Sequence, residues 1–245
     1  MRSMEADIAR ALAALDLDDV RRTYWAQNEG IVLERLFPDA VTRPMIEEVR
    51  AVQPQLNRNY IPRHKKGCSV SYYTLRERAP AILALYRSPS FLEFVRRITG
   101  EAKADLCPET DPHSCALYYY TEPGDHIGFH FDTSYYRGTR YTVLLGLVER
   151  SSSRLVCRFH KDDPQKMREV AVATEPGTLV LFNGDKLWHK ITPLGENEER
   201  VSLTLEYVTD PSMTRGKRFV SNMKDAIAYF GFKSVFARRA TRAAQ

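Results

Sequence analysis

"RYTVLLGLVERSSSRLVCRFH", residues 140–160, sets two runs of β-branched, aliphatic and aromatic residues on either side of a serine turn. Such residues favour a pleated, half-buried surface, and Ser-rich breaks favour chain reversal. The pattern repeats around it. "CALYYYTE", "IGFHFD", "RYTVLLGLVE", "SRLVCRFH", "REVAVAT", "GTLVLFNG", "LWHKITPL" and "ERVSLTLEYV" follow one another from about residue 115 to 208, parted by "EPGD", "YRGT", "RSSS", "DDPQ", "EPGT", "NGDK" and "GENEE". Eight short runs with Gly, Pro, Asn and Asp at their breaks read as eight strands. No long helical period lies between them, which argues against a βαβ fold and for a jelly roll.

Helical spacing lies outside this core. It occurs in "EADIARALAALD", in "DAVTRPMIEEVRAV" and through "RAPAILALYRSPSFLEFVRRITG", where Ser90 is the expected N-cap before Phe91 and Gly100 the expected stop. "CSVSYYTL", residues 68–75, reads as a further strand. "NMKDAIAYFG" and "KSVFARRATRAA" return to helical patterns. The expectation is one domain over residues 1–245, mainly β with flanking helices: a mostly helical 1–114, a jelly-roll core over 115–208 and a C-terminal helical segment over 209–245.

Composition bounds the class. The 245 residues are 43% hydrophobic and 27% charged, enough for one sizeable core. No apolar run approaches the ~20 residues of a membrane-crossing helix, and the N-terminus lacks the apolar centre of an export signal. Cys68, Cys107, Cys115 and Cys157 fall in neither a C-x-x-C pair nor a zinc spacing, so they are expected as buried, reduced thiols in a cytoplasmic protein. Residues 211–245 hold eight Lys and Arg against one acid, Asp225. Such a segment can bind nucleic acid, but a solvated helical face is the commoner origin. Nothing in the sequence specifies an oligomeric state.

Within the core, His130 and Asp132 are separated only by Phe131, so on an extended strand both leave from one face. His189 lies 57 positions beyond Asp132 on another expected strand, and a jelly roll folds late strands back against early ones. Two histidines and one carboxylate on one side of an ion, the rest open, is a non-haem Fe(II) arrangement. Arg200 begins the last run, with Ser202 on the same face. A guanidinium in an apolar barrel mouth needs an anion. A dicarboxylate held to the metal at one end can pair its other carboxylate with Arg200 and the Ser202 hydroxyl, which fits 2-oxoglutarate.

H-x-D at 130–132, the distal His189 and R-x-S at 200–202 resemble the Fe(II)/2-oxoglutarate-dependent dioxygenases over roughly residues 115–208. The resemblance implies a double-stranded β-helix of the jelly-roll, cupin-like kind. It also implies Fe(II), 2-oxoglutarate and O2 as cofactor and co-substrates, with succinate and CO2 formed as an unactivated C–H bond is hydroxylated. "FHFDTSYYRGTRYTVLLGL" followed by "SSSRLVC" resembles, more narrowly, the carrier-independent lysine halogenases and their hydroxylase relatives, which act on free amino acids. The halogenases have a small residue where Asp132 stands, because chloride takes that coordination position. Asp132 therefore implies hydroxylation, with a cationic amino acid such as lysine as substrate.

A zwitterionic substrate needs a cation for its carboxylate and an anion for its amine. The candidates are Arg76 for the carboxylate, Glu122 and Asp125 for an ammonium, His126 by its even spacing from His130, and Glu206 by period two from Arg200. Each also has a plain reading as a surface or turn residue. Among Tyr118, Tyr119 and Tyr120, strand packing is expected, with one hydroxyl at most reaching 2-oxoglutarate, and Trp188 is expected in the core. His64, His113 and His160 have no partner at ligand spacing. Two other functions fit parts of the pattern: a nucleic-acid dealkylase using the basic C-terminal segment, and a non-catalytic jelly-roll module pinned by its metal.

Overall fold

A computed structural model describes residues 3–213. The C-terminal helical patterns and most of the basic segment lie outside the described residues. The chain opens with α1 (Met4–Ala13), capped by the Ser3 hydroxyl, and α2 (Leu17–Ala26), capped by the Asp16 carboxylate. Strand β1 (Gly30–Leu33) and helix α3 (Asp39–Val52) follow, then the hairpin β2 (Asn57–Ile61) and β3 (Lys65–Val70). Three short helices, α4 (Tyr72–Arg78), α5 (Pro80–Tyr86) and α6 (Pro89–Thr99), lead through the two-residue β4 (Asp105–Leu106) into the core. There β5 (Cys115–Tyr120), β6 (His126–His130), β7 (Arg140–Arg150), β8 (Leu155–Phe159), β9 (Arg168–Val172), β10 (Leu179–Asn183), β11 (Trp188–Ile191) and β12 (Glu199–Val208) match the eight runs one for one.

All pairings are antiparallel, in the order β1-β10-β7-β12-β5-β3-β6-β11-β8-β9, with β2 on β3 and β4 on β12. Side-chain alternation explains the two faces. On β12, Val201, Leu203, Leu205 and Tyr207 join one cluster with Val41, Met45, Ile82 and Phe91 of the helices, so one face is covered by the helical layer. The other face carries Arg200, Ser202, Thr204 and Glu206, all buried. A second cluster unites Tyr120, Leu144 and Phe182 of one half of the sheet with Leu155, Cys157 and Ile191 of the other. The sheet thus folds over on itself and encloses the even face of β12. This is the mainly antiparallel jelly roll expected of the sequence.

Three local expectations are corrected. Helix α6 is capped by Ser88, whose hydroxyl accepts the Phe91 N–H at 3.1 Å, and Ser90 lies inside the first turn. Pro89 explains the shift, since proline is best placed at the first helical position. Ser88→Ala should therefore cost about 1 kcal/mol of stability, and Ser90→Ala no more than about 0.5 kcal/mol, compared by chemical denaturation. Second, "CSVSYYTL" is not one strand: β3 ends at Val70 and α4 begins at Tyr72, because Tyr72 and Leu75 bury at helical spacing. Third, Trp188 is half-buried on the outer face of the smaller half-sheet, stacked on Phe129 at 6.0 Å with parallel rings. The four cysteines are free and buried. Among the described residues no helix is long and apolar enough to cross a membrane.

Candidate active site

His130 ends β6 and His189 sits opposite it on β11 as its direct cross-strand partner, with ring centroids 4.2 Å apart. Each Nδ1 points at a backbone carbonyl, His130 at Gly128 (2.8 Å) and His189 at Leu187 (3.2 Å). A proton on Nδ1 donates there and leaves the Nε2 lone pair free, the tautomer a metal needs. Both Nε2 atoms face Asp132, at 3.3 Å to Oδ1 from His130 and 3.9 Å to Oδ2 from His189. One ligand atom from each of the three lies within 4.8 Å of the others, and they are the only such cluster among the described residues. Burial disfavours the Asp132 charge, but His189, His130 and Arg140 outweigh it and hold the carboxyl far below the usual range. Burial also lowers His189 to about 4, keeping it neutral and able to ligate.

Asp132 is held from behind. Its carbonyl accepts from Arg140 Nη2 at 3.0 Å, and Thr142 Oγ1 lies 3.3 Å from Oδ2. The same hydroxyl lies 3.0 Å from Oε2 of Glu206, which is 3.3 Å from Arg140 Nε. Burial pushes the Glu206 carboxyl up to about 8, against the pull of Arg140. A neutral Glu206 can donate to Thr142, freeing the single hydroxyl hydrogen of Thr142 for Asp132. Gly184 closes the arrangement: a Cβ there would fall 2.3 Å from the Asp132 carbonyl oxygen, so only glycine lets the β10–β11 turn approach. Gly184→Ala should displace Asp132 and weaken divalent-ion binding by about tenfold or more, read by Mn(II) titration on protein of unchanged circular dichroism.

Arg200 is fully buried, and Glu149 lies 3.5 Å from its Nη1. Glu149 nevertheless takes its hydrogen bonds from Ser151 and Thr174. Among the described residues, none of the three guanidinium nitrogens of Arg200, nor the Ser202 hydroxyl beside it, has a hydrogen-bond partner. Leaving such groups unmet in an apolar interior is costly. Tyr120 pairs across from Arg200 and Tyr118 from Ser202, so both rings share this face, whereas Tyr119 turns outward and donates to the Val49 carbonyl.

The other substrate candidates sit elsewhere. Ile191 faces Ile127 and His189 faces His130, so two residues on β11 span three on β6. This bulge puts Ile127 on the His130 face and turns His126 to the opposite one, where it faces Lys66; regular alternation had placed it inward. Asp125 is fully buried rather than water-exposed, pairing with both Nη atoms of Arg58 and accepting from the Thr121 and Glu122 N–H groups. Glu122 pairs with Arg58 at 2.6 Å and Arg76 with Glu109 at 3.7 Å. Glu206 does face inward, toward Thr142 and Arg140. Of the set-aside histidines, His64 lies edge-on to His130 at 5.9 Å and accepts the Gly128 N–H through its carbonyl. Arg140, Thr142 and Glu149 were missed, although period two within "RYTVLLGLVE" aligns Thr142 with Arg140.

Fold and site together are a jelly roll carrying a His-Asp-His cluster able to hold a metal ion. Solved alpha ketoglutarate-dependent and 2OG-Fe(II) oxygenases share the fold. The carbocyclase SnoK of nogalamycin biosynthesis superposes with a TM-score of 0.66 at 12% identity, covering 84% of this chain and 90% of that one. The epimerase SnoN from the same biosynthesis gives 0.64 at 13% identity over 78% and 81%, and has also been solved with Fe3+ and alpha ketoglutarate. A Trichoplax adhaerens prolyl hydroxylase, in complex with a peptide fragment, gives 0.59 at 15% identity over 84% and 95%. No protein-family model matches the sequence, and no curated protein does.

Proposed function

We propose that this protein is an Fe(II)/2-oxoglutarate-dependent hydroxylase of a free, cationic amino acid such as lysine, working in the cytoplasm. The observation that carries the cofactor assignment is the buried Arg200–Ser202 pair, whose donors have no hydrogen-bond partner among the described residues and face the enclosed side of the sheet. The donor set fits the metal: two imidazoles with free Nε2 atoms and one anionic carboxylate suit Fe(II) and leave its other positions open. His130, Asp132 and His189 would hold the ion, and Arg200 with Ser202 the far carboxylate of 2-oxoglutarate. When bound, iron and 2-oxoglutarate would supply, with O2 as the oxidant, decarboxylation of 2-oxoglutarate to succinate and CO2 coupled to C–H hydroxylation, one oxygen atom going to succinate and the other to the hydroxyl group. The protein keeps the His189 imidazole neutral by burial, fixes the carboxylate through Thr142 and Arg140, and lines the interior with Phe182, Leu155 and Ile191 to exclude water. Asp132, where the halogenases have a small residue, favours hydroxylation over halogenation.

The amino acid specificity rests on the resemblance of "FHFDTSYYRGTRYTVLLGL". A succinate-release screen over free amino acids, with mass spectrometry for one added oxygen, tests it. Stimulation by lysine or another cationic amino acid is the expected result; stimulation by none of them overturns it. One observation favours the nucleic-acid reading: beside Asp132, Phe129, Phe131 and Trp188 carry Arg158, Lys161 and Lys190 over their rings at 4.2 to 5.4 Å. Those ring faces are already covered by the protein's own cations, which leaves less room for base stacking. Oligonucleotide binding with a steep salt dependence would reverse that preference.

A further inference from the structure

Lys65 is the first residue of β3, the strand that joins the larger half-sheet to β6. Its cross-strand partner is Ile127, which packs into the enclosed cluster. Gly67, two residues on and so on the same face, lies against the Tyr120 ring. Alternation therefore aims Lys65 into the interior, whereas its neighbour Lys66 points the other way and reaches the Pro123 carbonyl at 2.8 Å. The Lys65 ammonium sits 4.7 Å from the centre of the Tyr118 ring, within electrostatic range of both Asp132 and His130.

The interior acids are committed elsewhere. Asp132 faces the two histidines, Glu206 faces Arg140 and Thr142, and Glu149 is held by Ser151 and Thr174. Among the described residues no carboxylate closes an ion pair with Lys65. Burial lowers its pKa to about 8 even though Asp132 favours the charge. An aromatic face supports a cation but does not neutralise it. A largely enclosed ammonium with no counter-ion among the described residues, opening on His130 and Asp132, is a seat for an anion.

We propose that Lys65 binds the α-carboxylate of the amino acid substrate, an assignment that rests on the amino acid hydroxylase reading above. The far carboxylate of 2-oxoglutarate already has Arg200 and Ser202 on β12, whose hydrogen-bonding groups are unmet among the described residues. Lys65 stands on the β3–β6 side, next to His130 and Asp132, where a second carboxylate can be held while the rest of the amino acid extends toward the three ligands. This makes a carboxylate a required feature of the substrate: an amine of the same chain length without it should be rejected.

The test uses the anaerobic Fe(II)·2-oxoglutarate complex, whose weak visible charge-transfer band reports first cosubstrate and then substrate binding. Wild type, Lys65→Met and Lys65→Arg are titrated with 2-oxoglutarate, then with L-lysine, L-ornithine and L-arginine and their decarboxylated counterparts cadaverine, putrescine and agmatine. The expected result is a band shift in wild type with an amino acid but not its amine. Lys65→Met should require about tenfold more amino acid or greater, keep its 2-oxoglutarate affinity within about threefold, and be partly restored in Lys65→Arg. The retained 2-oxoglutarate titration also shows that the variant is folded. An amino acid titration of Lys65→Met equal to wild type overturns the proposal, as does a loss of 2-oxoglutarate affinity, which would make Lys65 a cosubstrate contact. If wild type forms the band but no amino acid shifts it, the amino acid reading falls and this assignment with it, a result distinct from the other two.

Discussion

Arg200→Ala raises the concentration of 2-oxoglutarate needed for half-maximal succinate formation by about thirtyfold or more. The guanidinium is fully buried, and among the described residues its three nitrogens and the Ser202 hydroxyl beside it have no hydrogen-bond partner. Removing one partner of a buried, hydrogen-bonded charge pair costs roughly 2–5 kcal/mol, and each 1.4 kcal/mol is tenfold. Most of that loss comes from leaving the cosubstrate carboxylate unpaired in an apolar interior, so added salt should not compensate for it. Arg200→Lys should recover only part of the affinity, since an ammonium keeps the charge without the planar fork. Ser202→Ala should cost less than either. A 2-oxoglutarate titration unchanged in Arg200→Ala would place the cosubstrate elsewhere in the barrel.

The second large effect is on the metal. Asp132→Ala should lower Mn(II) or Fe(II) affinity by more than the roughly 10–100-fold typical of losing a group that merely orients a ligand, and should abolish hydroxylated product. Its carboxylate is the only acid among the three grouped ligands, and Thr142, Arg140 and Gly184 converge on its position. Without it, two neutral imidazoles remain. Metal titration and product mass spectrometry check this together. A variant that binds the ion and forms product normally would show that the ligand set is not His130, Asp132 and His189. Thr142→Val, which removes the hydroxyl at Oδ2 and keeps the shape, should fall between wild type and Asp132→Ala.

The candidate ligands were legible because their spacing is local. His130 and Asp132 are two residues apart, and Arg200, Ser202 and Glu206 lie on one regular strand, so period two alone puts each group on one face. His126 was misplaced for the converse reason. One extra residue between Ile127 and His130 reverses the face of everything before it, and a bulge leaves no mark in the hydrophobic pattern. Asp125 resembled any turn acid because its partner, Arg58, lies 67 positions away. Thr142 and Arg140 read as ordinary members of an apolar run; only their pairing with β12 brings them beneath Asp132 and Glu206.

By itself the sequence determined the number and order of the eight core strands, the helices α1, α3, α5 and α6, and the identity of the residues that could hold a divalent ion. Those features follow from alternation, turn chemistry and residue type, each acting over a few neighbouring positions. Tertiary structure alone decided which way β6 turns its side chains, that Glu206 is matched by Arg140 and Thr142, and that Lys65 enters the interior with no counter-ion among the described residues. These depend on register and on which charges meet across strands remote in sequence, and electrostatic pairing in a buried site is set by distance in space rather than by position along the chain.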